Sequence, residues 1–181
     1  MAKFNDVTVG QMEACINRMG GMQKFLDFIG GKGEVVWQTI ANLYSVIVYY
    51  DQSLAEMISA GKYDWKNSEI TEKSFPSKIR GQETLNLEMV HFNRNISSDS
   101  AVEEMYKMGL RPATLRELLS FGAKYPEIQR EFPVVALGDS CRLGGDRHIA
   151  CLGGDGSDRN LFLHWWHGAW DGNYRFLAVR K

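Results

Sequence analysis

Lysine and glutamate are both common in this chain up to Glu131, and both are then missing from Phe132 to Arg180; only Lys181 follows. Cysteine is scarce as well. Cys15, Cys141 and Cys151 are too few and too scattered for a disulfide framework or a zinc ribbon, and read as small half-buried thiols. No long apolar run exists: the longest, around Leu43 to Tyr50, is far too short to span a membrane. The opening MAKFNDVTVG lacks the basic and then apolar regions of a signal peptide, so an intracellular location as written is expected, with surface display left open. A net charge of -1 leaves no electrostatic footprint for nucleic acid or an anionic membrane, and neither is expected as a partner.

What is present fits one compact domain, or a domain with a small N-terminal extension: 181 residues, 44% hydrophobic and 24% charged. Thr8 to Gln11 reads as a capping box opening a helix to about Met19, and Met22 to Ile29 as a second short helix between glycine pairs. Together they suggest a helix-turn-helix, but few Lys or Arg share a face, so packing is favoured over DNA binding. A third helix is expected over Val35 to Leu43. Tyr44 to Tyr50 suits either a strand or a buried helix end.

Ser53 to Glu56 is another capping box, for a helix to about Ala60, and the polar GKYDWKNSEITEKSFPSKIRGQ after it is the candidate domain boundary. Thr84 to Phe92 alternates as a half-buried strand does. Ser100 to Glu103 is expected to cap a helix to about Met108, and Thr114 to Glu117 a second to Lys124. Four strands are expected after that: Val134 to Leu137, Arg147 to Leu152, Leu161 to Trp166 and Tyr174 to Val179.

The stretch without Lys and Glu gathers Arg, Asp, Gly, His and Trp instead, most densely in LFLHWWHGAWDGNYRFLAVRK. Binding surfaces favour that balance, because a flexible charged stem loses entropy on docking whereas a rigid aromatic brings area at little entropic cost. Period-two alternation sorts the strand: Leu161, Leu163 and Trp165 are assigned to the core face, and Phe162, His164 and Trp166 to the opposite, outward face. His164 and His167 are spaced for a helix rather than a strand, and no carboxylate cluster joins them, so no metal site is expected. The glycine runs 144–145 and 153–156 read as turns, since no helix or GK[ST] follows them.

The run GLRPATLRELLSFGAKYPEIQREFPVVALGDS, the Gly/Asp/Arg-rich stretch after it and the terminal YRFLAVRK resemble the variable proteins of diversity-generating retroelements, in particular the archaeal subclass. The resemblance covers about the last hundred residues. It implies a C-type lectin-like α+β fold, with a strand, two helices and then a small antiparallel sheet displaying a C-terminal variable region. The expected layout is a helical N-terminal region, residues 1–80, packed on a lectin-like domain, residues 81–181, whose variable region covers about 140–175.

In such systems a reverse transcriptase copies a template repeat with errors at adenines, and Asn codons of the form AAY are the favoured targets. Changing their adenines yields fourteen other residue types but never Trp, Lys, Glu, Gln or Met. Variable, ligand-facing positions are therefore expected at Cys141, Arg142, His148, Ala150, Arg159, Phe162, His164, His167, Ala169, Asp171, Gly172, Asn173 and Tyr174. Trp165, Trp166 and Trp170 fall to the invariant scaffold. The implied function is non-enzymatic recognition of a protein or other macromolecular ligand, with no cofactor. The Glu-Pro-Asn motif of calcium-dependent sugar binding is absent. Two alternatives stand beside it: an enzyme resembling formylglycine-generating oxidases, with Cys141 and Cys151 meeting across a hairpin, and a DNA-associated regulator led by the N-terminal helices. The ligand and the oligomeric state are not specified by the sequence.

Overall fold

The computed structural model describes residues 43–154 and 156–180, together with Ile16, Gln23, Phe25 and Leu26. The chain divides into two compact units, Met1–Asn42 and Leu43–Lys181. In the first, the four residues described are each helical, and the rest of the three helices expected there lies outside the described residues, except that Leu43, expected to end the third, opens a strand.

The second unit is mixed α/β. It runs β1 (Leu43–Tyr49), α1 (Leu54–Gly61), β2 (Trp65–Lys66), β3 (Gln82–Val90), β4 (Ile96–Ser97), α2 (Ser98–Lys107) and β5 (Leu110–Pro112). It continues with α3 (Leu115–Lys124), α4 (Ile128–Glu131), β6 (Val134–Leu143), β7 (Asp146–Gly153), β8 (Asn160–Trp165), β9 (Ala169–Trp170) and β10 (Arg175–Arg180). Among the described residues no helix is long and apolar enough to cross a membrane.

Local chemistry sets these boundaries. Ser53 and Glu56 close a capping box on α1, and Thr114 and Glu117 close another on α3. The α2 cap is Ser97, whose hydroxyl accepts from the Ser100 amide, three residues earlier than the SAVE box suggested. The β6–β7 hairpin turns on Gly144 and Gly145, both at positive φ, which residues with a Cβ adopt only with strain.

The main sheet is ordered β1-β3-β10-β6-β7-β8-β2, with β5 beside β10. It is neither small nor wholly antiparallel, in contrast to the expectation: β10 runs parallel to β6, and β2 parallel to β8. The direction of β10 follows from the path after β8. Residues 166–174 cross over instead of making a hairpin, and a crossover brings the next strand back in the same direction.

Both faces are covered. On one, α1, α3 and the stretch carrying Ile70 and Phe75 pack over Val46, Leu87, Ala150, Leu152, Leu161 and Leu177. On the other, Ala101 and Met105 of α2 pack with Trp166 and Trp170 over Val135, Ile149, Cys151 and Phe176. The polar stretch near residue 80 is therefore no boundary. Its Ile70 and Phe75 are core residues, β1 pairs along its whole length with β3, and the division falls before Leu43.

Candidate functional site

The aromatic end of the chain splits into a buried frame and an open surface. Trp170 is fully buried; its indole N–H donates to Ser98 Oγ at 2.9 Å, and Ser98 Oγ donates in turn to the Trp166 carbonyl at 2.6 Å. The Trp166 indole donates to Asp99 at 3.1 Å, and the Arg147 guanidinium lies 3.3 Å over the Trp166 ring. His164, Tyr174 and Phe176 pack their rings around Trp170 at 4.6, 4.9 and 5.9 Å. The Ser97 cap makes this possible by holding Ser98 and Asp99 in the first turn of α2, where β4 pairs with β9.

Trp165, the next residue but one from His167, meets the opposite environment. It is 62% exposed, the most open of the large apolar side chains among the described residues. It lies across from His148, with ring centroids 6.4 Å apart. A cavity of about 330 Å³ on one side is lined by Asn67, Leu143, His148, Leu163, His164 and Trp165. A second, of about 320 Å³, is lined by Asp146, Arg147, Trp165, His167 and Gly168. Assigning Trp165 to the core was wrong for a physical reason. Leu161 on the same face is buried and Leu163 is half-buried, but the cover thins along the strand and is gone by its last residue.

The thirteen positions assigned to ligand contact fall into three sets. Arg142, His167, Ala169, Asp171 and Asn173 are exposed, and His148, Phe162, His164, Gly172 and Tyr174 are half-buried. Arg142, His148 and His167 belong to the strand ends and turns near Trp165; Ala169 opens β9, and Asp171 to Tyr174 form the loop between β9 and β10. Cys141, Ala150 and Arg159 are buried, in contrast to the outward placement expected of them.

Arg159 is a structural pin. It donates to the Gly61 and Gly122 carbonyls at 2.6 and 2.7 Å and to Gln129 at 3.2 Å, while its backbone N–H donates to Asp64 at 2.8 Å. Ala150 belongs to the core under the helical layer, and burial pushes the Cys141 thiol above its ordinary pKa. Cys141 and Cys151 do not meet across the hairpin: Cys141 pairs with His148 and Cys151 with Val135, and they belong to cores on opposite faces of the sheet.

Asn67, Leu143, Asp146 and Arg147 were not anticipated beside Trp165. Asp146 and Arg147 carry a readable signal, since they follow a Gly-Gly hairpin turn that projects its flanks to the sheet's end. Asn67 has none; it arrives through β2, whose pairing with β8 is visible only in three dimensions. A further cavity of about 430 Å³, lined by Val46, Ile47, Met57, Leu119, Ala123 and their neighbours, contains none of the thirteen positions. Among the described residues no group of three or more His, Cys, Asp or Glu is placed to hold a metal ion.

Comparison of the chain with protein-family models, curated proteins and solved structures finds no significant match.

Proposed function

We propose that this chain is a non-enzymatic ligand-binding protein of the diversity-generating retroelement type. In this assignment its unit 43–181 is a C-type lectin-like domain with an added strand and helix at its start. One observation carries the assignment. In a stretch free of Lys and Glu, an exposed tryptophan, which adenine mutagenesis of an Asn codon cannot produce, is surrounded by outward residues that such mutagenesis can produce. Trp165 then acts as an invariant anchor for any ligand, and Arg142, His148, His167, Ala169 and the loop from Asp171 to Tyr174 set which ligand is held. Rigid aromatics supply most of the energy of such contacts, and a polar surround supplies discrimination.

The order of elements adds support. From β3 onward the chain gives a strand, two principal helices and then sheet strands, the order that the resemblance implies, and the last strand, β10, pairs with β3. The ligand in this assignment is a protein or other macromolecule, held without a cofactor.

The DNA next to the gene provides the test. A reverse-transcriptase gene is expected there, with a near-copy of the last hundred or so bases. The two copies should differ at adenines in codons for exposed residues such as Arg142, His167 and Asp171 and for the half-buried His148, and agree at Trp166, Trp170 and Phe176. Mismatches spread evenly over buried and exposed codons, or no such repeat, would contradict the proposal.

A further inference from the structure

Among the described residues, β8 is a free edge for only part of its length. The Trp166 N–H donates to the Arg147 carbonyl at 2.8 Å, which fixes the phase of the β7–β8 ladder: Asn160, Phe162 and His164 bond toward β7. Arg159, Leu161, Leu163 and Trp165 therefore turn their backbone groups the other way. There the Asp64 N–H donates to the Arg159 carbonyl at 2.8 Å and the Asn67 N–H to the Leu161 carbonyl at 2.9 Å, as β2 joins the edge. Beyond Asn67 this cover stops. The Trp165 carbonyl accepts from Gly168 at 3.2 Å, but the N–H and C=O of Leu163 and the N–H of Trp165 have no partner among the described residues. Neither residue is buried, and the 330 Å³ cavity beside them is walled by Leu143, Leu163 and Trp165 with Asn67 and His148 at its polar side.

The geometry points to an extended polypeptide segment as the part of the ligand that docks here. It would lie along β8 past Asn67, accept from the Leu163 and Trp165 N–H groups, donate to the Leu163 carbonyl, and place one apolar or aromatic side chain in the cavity against Trp165. This inference rests on the ligand-binding assignment and names the partner's chemistry. Donor and acceptor alternating along an extended strand match another extended backbone, and β2 is already one such segment added to the same edge. Backbone bonds are indifferent to side-chain identity. The anchor therefore survives every change at Arg142, His148 or His167, which alter only the discrimination around it.

A phage-displayed library of linear heptapeptides, panned on the full chain, supplies the probe. A selected peptide is then resynthesised with each backbone amide N-methylated in turn. The expected result is an apolar or aromatic consensus residue, with N-methylation of the one amide that meets the Leu163 carbonyl weakening binding about tenfold and N-methylation of its neighbours leaving it unchanged. Trp165→Ala should weaken the same peptide. So should Leu163→Pro, which deletes an outward N–H where an edge strand tolerates proline. If Leu163→Pro fails to fold, the N-methyl series on the unaltered chain decides alone.

Failure to select any peptide, or a peptide indifferent to N-methylation throughout, would overturn the inference. So would a dimer of the chain, seen by sedimentation, that Leu163→Pro dissociates. The retroelement assignment is tested on DNA alone, so the two fail separately: a template repeat with no peptide bound sinks only the edge, and a bound peptide with no repeat sinks only the retroelement assignment.

Discussion

Trp165 and Trp170 are five residues apart and meet opposite fates. Trp170 is enclosed by three rings and the start of α2, with its indole N–H satisfied; Trp165 stands open between two cavities. Residue type does not separate them. Cover does. The sheet is roofed on both faces near its middle, but over the end of β8 only the face bearing Trp166 and Trp170 keeps its roof. An aromatic under a roof is frame, and the same aromatic beyond it is surface.

The comparison breaks most severely at Trp170. Trp170→Ala empties a fully buried site and strands the Ser98 hydroxyl, so a loss of about 3–5 kcal/mol in chemical denaturation is expected. A loss below about 1 kcal/mol would mean that Trp170 is not frame. Arg159→Ala comes next. It leaves the Gly61 and Gly122 carbonyls buried without their donor, and about 3 kcal/mol should be lost, whereas a ligand-facing arginine would cost almost nothing.

A smaller effect depends on pH. Asp139, in the irregular stretch of β6 below the hairpin, accepts from the Leu115 N–H at 2.8 Å. Burial lifts its pKa from 3.8 to about 6; Glu117 pushes the same way, and the Leu115 N–H and Arg116 pull against it. The folded value exceeds the unfolded one, so the folded chain holds this proton more tightly. The associated stability is fully present below about pH 4 and is lost as pH rises through about 6, by roughly 2 kcal/mol. Asp139→Asn should flatten that part of the profile when its denaturation curves are subtracted from those of the parent between pH 4 and 7; an unchanged profile would refute the assignment.

Much of the frame was legible because it is written in local chemistry. Ser53 with Glu56 and Thr114 with Glu117 announced α1 and α3, and the Gly144–Gly145 pair announced the hairpin. The tertiary choices were not legible. Period-two alternation in LFLHW separates two faces but says nothing of which is roofed, and where both are roofed it does not separate core from surface at all. Arg159 looked like a display residue because a buried arginine is recognised only by the carbonyls that hold it, here from Gly61 and Gly122. The same holds for Asn67, which a two-residue strand carries to the site.

The central claim is that Trp165 and its outward neighbours serve the ligand and not the fold. The variant Arg142→Ser, His148→Ser, Trp165→Ala, His167→Ser, measured by urea denaturation beside the parent chain, tests it most directly. Stability within about 1 kcal/mol and an unchanged cooperative transition are expected, because these side chains lie beyond the roof. A loss approaching that of Trp170→Ala would make the surface part of the core and contradict the account.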